Sequence, residues 1–101
     1  MKFTEKQRND LSEYFKNKNI NPRFFSTTFK EYSIYFTWDC LRIEKELPGY
    51  GYKVLLYFNP EGSYKKTSYF SSEDWSRLKS KIAKIQKILR PNSVNFIIGN
   101  K

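Results

Sequence analysis

Between Phe70 and Ser72 the spacing of apolar residues changes from every second position to every third or fourth, and this change divides the chain. Upstream, residues 24–30 and 32–38 are rich in Phe, Tyr, Thr and Ile, types that fill a pleated, half-buried surface. In the second stretch Ile34, Phe36 and Trp38 fall on one face and Ser33, Tyr35 and Thr37 on the other. The alternation slips near Asp39 and Cys40, which predicts a bulge or tight turn there. It resumes over 41–46, with Leu41 and Ile43 set against Arg42 and Glu44. Residues 47–51, with Pro48, Gly49 and Gly51, form a turn; 52–58 is the most apolar strand; 59–62 is the next turn; and 65–70 is the last strand of the set. Downstream, Trp75, Leu78, Ile82, Ile85 and Leu89 repeat at helical spacing. Ser72 serves as hydroxyl cap, and Glu73 and Asp74 sit at the positive end of the dipole.

The remaining segments complete a single domain of 101 residues, too short for two good cores. Residues 1–22 form a helix and a turn. Thr4 and Gln7 make a capping-box pair ahead of Leu11, Tyr14 and Phe15 on one face, with the helix over 3–18. Asn17, Asn19, Asn21 and Pro22 then break it. Residues 23–71 supply four to five strands, 72–90 the long amphipathic helix, and 93–98 have the composition of one further short strand. The expected fold is α+β, with a curved antiparallel sheet between the two helices in chain order.

Charge narrows the function classes. There are 19 Lys and Arg against 10 Asp and Glu, a formal net charge of +9, and no histidine. Such a domain is drawn to phosphate by counterion release, although basic composition also serves solubility. The longest apolar runs, such as Val54 to Phe58, fall far short of the roughly 18–20 residues needed to cross a bilayer. The chain turns polar directly after its first residues, so no signal peptide is expected. Cys40 is the only cysteine, which excludes an intramolecular disulfide and suits a reducing compartment, cytoplasmic or, in a eukaryote, nuclear.

Without histidine, acid–base catalysis would fall to carboxylates, Lys, Tyr or Cys40. Asp39, Glu44 and Glu46 lie close in sequence, but a continuous strand puts Asp39 and Glu44 on opposite faces, and their spacing matches no metal-ligand pattern. Cys40 has no histidine to activate it and reads as an inert thiol. No Gly-rich phosphate loop is present. The expectation is a protein that is not an enzyme and needs no cofactor, metal or small-molecule substrate.

The aromatic content fits a different task. Aromatics are 19% of the chain, with 8 Tyr, 9 Phe and 2 Trp. Single-stranded nucleic acid is held by rings that stack on any base and by cations that follow the phosphates. Within 52–58, Lys53, Leu55 and Tyr57 alternate with Tyr52, Val54, Leu56 and Phe58; within 65–70, Lys65, Thr67 and Tyr69 alternate with Lys66, Ser68 and Phe70. The faces carrying Lys53 with Tyr57 and Lys65 with Tyr69 read as outward. The same tyrosines equally suit amphipathic cover over a thin sheet.

Residues 52–89 resemble the positive-cofactor-four-type transcriptional coactivators. In order, the chain has a strand ending in Tyr57 and Phe58 and a turn of Asn59, Pro60, Glu61 and Gly62. A basic entry of Lys65 and Lys66, a start at Ser71 to Trp75, and a long helix through Leu78 to Leu89 follow. It departs from that pattern at Thr67, where the family has Gly. The resemblance implies a curved antiparallel sheet, a homodimer built through the C-terminal helices, and cofactor-free binding of single-stranded or melted DNA across the sheet. It carries the aromatic role to Tyr57 or Phe58 and the basic role to Lys65 and Lys66, with Trp75 at a packing position.

These readings converge on a sequence-tolerant binder of single-stranded DNA or RNA, acting in transcription or DNA handling. Arg42, Lys53, Lys65 and Lys66 would hold phosphates while Tyr35, Tyr57, Phe58 and Tyr69 stack bases. The alternative is a small interaction module of the phage or mobile-element type, whose aromatic surface meets a host protein.

Overall fold

A computed structural model describes residues 2–16 and 25–91. They form α1 (Glu5–Tyr14), β1 (Phe25–Phe29), β2 (Tyr32–Phe36), β3 (Leu41–Leu47), β4 (Gly51–Phe58), β5 (Tyr64–Lys66) and α2 (Ser72–Leu89). The strands build one open sheet in the order β1-β2-β3-β4-β5, with every neighbouring pair antiparallel. This is the expected α+β fold. The segment 93–98, read as a further strand, lies outside the described residues, as does the breaker at 17–22. Among the described residues no helix is long and apolar enough to cross a membrane.

Each helix starts at a reciprocal cap. Thr4 accepts from the Gln7 backbone N–H (3.1 Å) while the Gln7 side chain accepts from the Thr4 N–H (2.9 Å). At α2 the cap is Ser71 rather than Ser72. Its hydroxyl accepts from the Asp74 N–H (3.1 Å), and Asp74 Oδ2 accepts from the Ser71 N–H (3.1 Å) and hydroxyl (2.9 Å). Asp74 stands at the third helical position, from which its carboxylate reaches back to the cap.

One face of the sheet carries the core. Tyr32, Ile34 and Phe36 of β2, Leu41 and Ile43 of β3, and Leu55, Leu56 and Phe58 of β4 are buried against Leu78, Ile82, Ile85 and Leu89 of α2. Phe3 and Leu11 bring α1 to the same core, with the Phe3 ring 4.9 Å from Phe36. Gln7 Nε2 donates to the carbonyls of Pro60 (2.8 Å) and Leu89 (3.2 Å), tying α1 to the β4–β5 turn and the end of α2. From Leu78 to Leu89 the apolar stripe of α2 is thus buried within one chain.

Three strand expectations need correction. The run over 32–38 ends at Phe36, because Thr37 turns back to the Cys40 carbonyl through its N–H (2.8 Å) and hydroxyl (3.1 Å). Trp38 therefore leaves the core face and lies exposed under the Lys2 ammonium, 4.2 Å from the ring centre. The run over 65–70 also ends early: β5 has three residues, and Thr67 closes it by donating its hydroxyl to Val54 O (2.6 Å) and its N–H to Leu55 O (2.8 Å). Finally, the β3–β4 register shifts between Ile43, opposite Leu56, and Glu44, opposite Val54, so Leu55 is an inserted residue. That bulge lets both Leu55 and Leu56 face the core and reverses the side for everything before them.

Candidate functional site

Among the described residues the face of the sheet turned away from the helices is open, and the register builds it row by row. Ser26 lies opposite Tyr35, Tyr35 opposite Arg42, Arg42 opposite Tyr57 and Tyr57 opposite Lys65. These five residues, one from each strand, cross the sheet on the face opposite Ile34, Ile43 and Phe58. At about 4.8 Å between strands the row is roughly 19 Å long. Its members stay accessible: Tyr57 is 40% exposed, Lys65 and Ser26 are exposed, and Tyr35 and Arg42 are half-buried.

Within the row, Arg42 is pre-positioned. Its guanidinium carbon lies 5.0 Å from the centre of the Tyr35 ring, and its Nε donates to Glu44 Oε2. A cation held over one ring and beside another leaves its outer N–H groups for an anion. At the far end, Tyr57 and Lys65 line a shallow depression of about 390 Å³ with Asn59, Ser63 and Tyr64. Among the described residues no carboxylate pairs with Lys65.

The other expected site residues divide differently. Phe58 is 0% exposed, in the core beside Tyr64 (ring centres 5.3 Å apart), and has no face to offer a base. Lys53 does not share a face with Tyr57. The bulge at Leu55 sets Lys53 opposite Lys45, whose ammonium reaches the α2 residue Asp74. Tyr69 is not on a strand but in the turn that ends at Phe70, whose N–H donates to Thr67 O (3.2 Å). Lys65 and Lys66 are adjacent on β5 and so point to opposite faces.

Lys53, Lys66 and Tyr69 instead belong to a second cluster, at the β5 edge near the start of α2. The Lys53 ammonium sits 5.5 Å from the Tyr69 ring, and Lys66 lies 5.8 Å from Phe70 and 5.5 Å from Trp75. Phe70 and Trp75 meet edge to face, with centroids 6.4 Å apart. Lys66, Thr67, Phe70, Ser71, Ser72 and Trp75 line a second depression of about 450 Å³. Trp75, expected to be buried with the rest of its stripe, is 39% exposed. It stands in the first helical turn, over the edge of a strand only three residues long, where the sheet is too narrow to cover it. The shortness of β5 was the missing signal; the Thr67 hydroxyl that causes it resembles any other strand threonine in the sequence.

The buried polar group next to this cluster is structural. Asp74 is 2% exposed and accepts from the Tyr32 hydroxyl (2.8 Å) and the Lys45 ammonium (3.3 Å). Burial alone would raise its pKa, but the Ser71 N–H, the Tyr32 and Ser71 hydroxyls and Lys45 together hold it below the usual carboxylate range. Burial, with the hydrogen bond to Asp74, pushes the Tyr32 phenol up to about 12. Burial also raises the Cys40 thiol, with Asp39 adding to the effect, so that the thiolate is disfavoured. Among the described residues no group of three or more Cys, Asp or Glu side chains is placed to hold a metal ion.

Compared with protein-family models, with curated proteins and with solved structures, the chain matches none.

Proposed function

We propose that this protein is a non-catalytic binder of single-stranded nucleic acid that takes the strand across the open face of its sheet. The observation that carries the reading is the cross-strand row Tyr35–Arg42–Tyr57–Lys65, in which rings and cations alternate on an accessible surface. Tyr57 and Tyr35 stack bases, and Arg42 and Lys65 hold the phosphates between them. Trp75 and Tyr69, with Lys66 and Lys53, offer a second patch of the same chemistry at the β5 edge. The net charge of +9 supplies the long-range attraction, and the motif order over 52–89 that resembles the coactivator family supports the same assignment.

The chemistry favours unpaired strands for a simple reason. A duplex keeps its bases stacked on one another and offers the rings only its backbone, so only the cations would act. The test is fluorescence anisotropy with a labelled mixed-sequence 20-mer, single-stranded and duplex, at two salt concentrations. Salt-sensitive binding that prefers the single strand is expected. Equal affinity for duplex would remove the role of the rings. Absence of binding even at low salt would leave the charge as solubility and the aromatic surface as a protein interface.

A further inference from the structure

The two edges of the sheet are built differently. β5 is short and carries Lys65 and Lys66, and Thr67 folds back onto β4, the devices by which proteins keep an edge from pairing with another chain. β1 has none of them. Its five residues, Phe25–Phe29, contain no charge, no proline and no bulge, and four of them, two Phe and two Thr, are strong strand formers. Among the described residues, no backbone hydrogen bond reaches β1 except along its ladder with β2. Its alternate N–H and C=O groups therefore point outward as a template.

The order of residues along β1 also names the partner. Phe25, Ser26, Thr27, Thr28 and Phe29 read nearly the same in both directions about Thr27. Antiparallel pairing of two copies about a two-fold axis at Thr27 sets Thr27 opposite Thr27, Ser26 opposite Thr28, and Phe25 opposite Phe29. Hydroxyl pairs meet on the open face, where Ser26 and Thr28 are exposed. Such an interface is isologous and closes on itself.

We infer that β1 is a homodimer edge, at which two copies join their sheets into one ten-stranded sheet. The inference does not depend on nucleic-acid binding. It moves self-association away from α2, whose apolar residues Leu78, Ile82, Ile85 and Leu89 are already buried within one chain. The joined sheet places two rows of Tyr35, Arg42, Tyr57 and Lys65 on one continuous face. The contact is small, and each copy carries +9, so the dimer forms in a concentration-dependent manner and tightens as salt screens the repulsion. That salt dependence is opposite in sign to the one expected for phosphate binding.

The test is sedimentation velocity on the full chain without nucleic acid, across a wide concentration range at low and high salt. The double variant Ser26→Lys/Thr28→Lys sits beside the wild type. Both substituted positions are exposed, so the variant retains its circular dichroism and thermal midpoint, which are measured alongside. The expected result is a monomer–dimer equilibrium favoured by salt, with dissociation of the double variant raised by about tenfold or more as lysines face one another across the axis. A wild type that stays monomeric at every concentration and salt would overturn the inference. So would a dimer that the two lysines leave unchanged.

Discussion

Tyr57 and Phe58 are neighbours in sequence and opposites in environment. Phe58 is sealed among Leu41, Tyr64 and the helices, while Tyr57, one residue earlier on β4, stands on the open face between Arg42 and Lys65. The same pair of aromatic residues thus serves folding on one side of the sheet and the proposed recognition on the other. The covered face tolerates loss of volume poorly because it is close-packed, whereas among the described residues no element packs over the open face.

Substitutions that separate the two faces make the comparison quantitative. Phe58→Ala should cost about 3–5 kcal/mol of stability, read as a lowered urea midpoint. Asp74→Ala, on the same side, should cost somewhat less, about 2–4 kcal/mol, because it removes the acceptor of the buried Tyr32 hydroxyl and half of the reciprocal cap at Ser71, while Lys45 keeps Glu31 as a partner. Tyr57→Ala should leave the midpoint almost unmoved and weaken single-strand binding by about 1–3 kcal/mol, roughly 5- to 150-fold in Kd. A large loss of stability in Tyr57→Ala would show that the open face is part of the packing after all.

The clasp around Asp74 also sets a pH signature for the covered face. The Asp74 carboxyl titrates below its ordinary value in the folded protein, so the unfolded chain binds its proton first as pH falls. The stability it contributes is present above the ordinary carboxylate pKa and is lost as pH drops through the lowered folded value. At the alkaline end, Tyr32 is raised from 10.0 to about 12. Its contribution is complete below 10 and disappears as pH rises through 12. Asp74→Asn should flatten the acid limb of a stability–pH curve, and Tyr32→Phe the alkaline one. Nucleic-acid affinity near neutral pH should follow neither. The smallest expected effect is on the open face: Lys65→Ala should reduce the slope of log K against log salt by about 0.7, the value for one phosphate on a single strand.

Much of the covered face is legible in the sequence because it follows strict periods. Ile34 with Phe36, Leu41 with Ile43, and Leu78, Ile82, Ile85 and Leu89 all lie where alternation or helical spacing puts them. The Thr4–Gln7 box reads directly from residue types. The open face is only half legible. Tyr35, Arg42, Tyr57 and Lys65 follow from alternation, but Lys53 does not, because Val54, Leu55 and Leu56 are all apolar and no residue among them marks where the bulge falls. The cluster of Lys66, Tyr69 and Trp75 depends on Thr67 turning its hydroxyl and its N–H to the Val54 and Leu55 carbonyls in place of continued pairing. Such a choice is tertiary and leaves no trace in the pattern of residue types. Gly62 is a similar case: at φ 90° it lets the aliphatic part of Arg90 lie against the β4–β5 turn, where a Cβ would overlap that chain.

The measurement that tests the account most directly is a backbone-amide NMR titration of the full chain with a short single-stranded oligonucleotide. The account predicts shifts gathered at Tyr35, Arg42, Tyr57 and Lys65, with a second set at Lys66, Tyr69 and Trp75. The amides of Leu78, Ile82 and Ile85, beneath the opposite face, should stay unmoved. Shifts confined to the outer lysines of α2, such as Lys79, Lys84 and Lys87, or no shifts at saturating oligonucleotide, would contradict it.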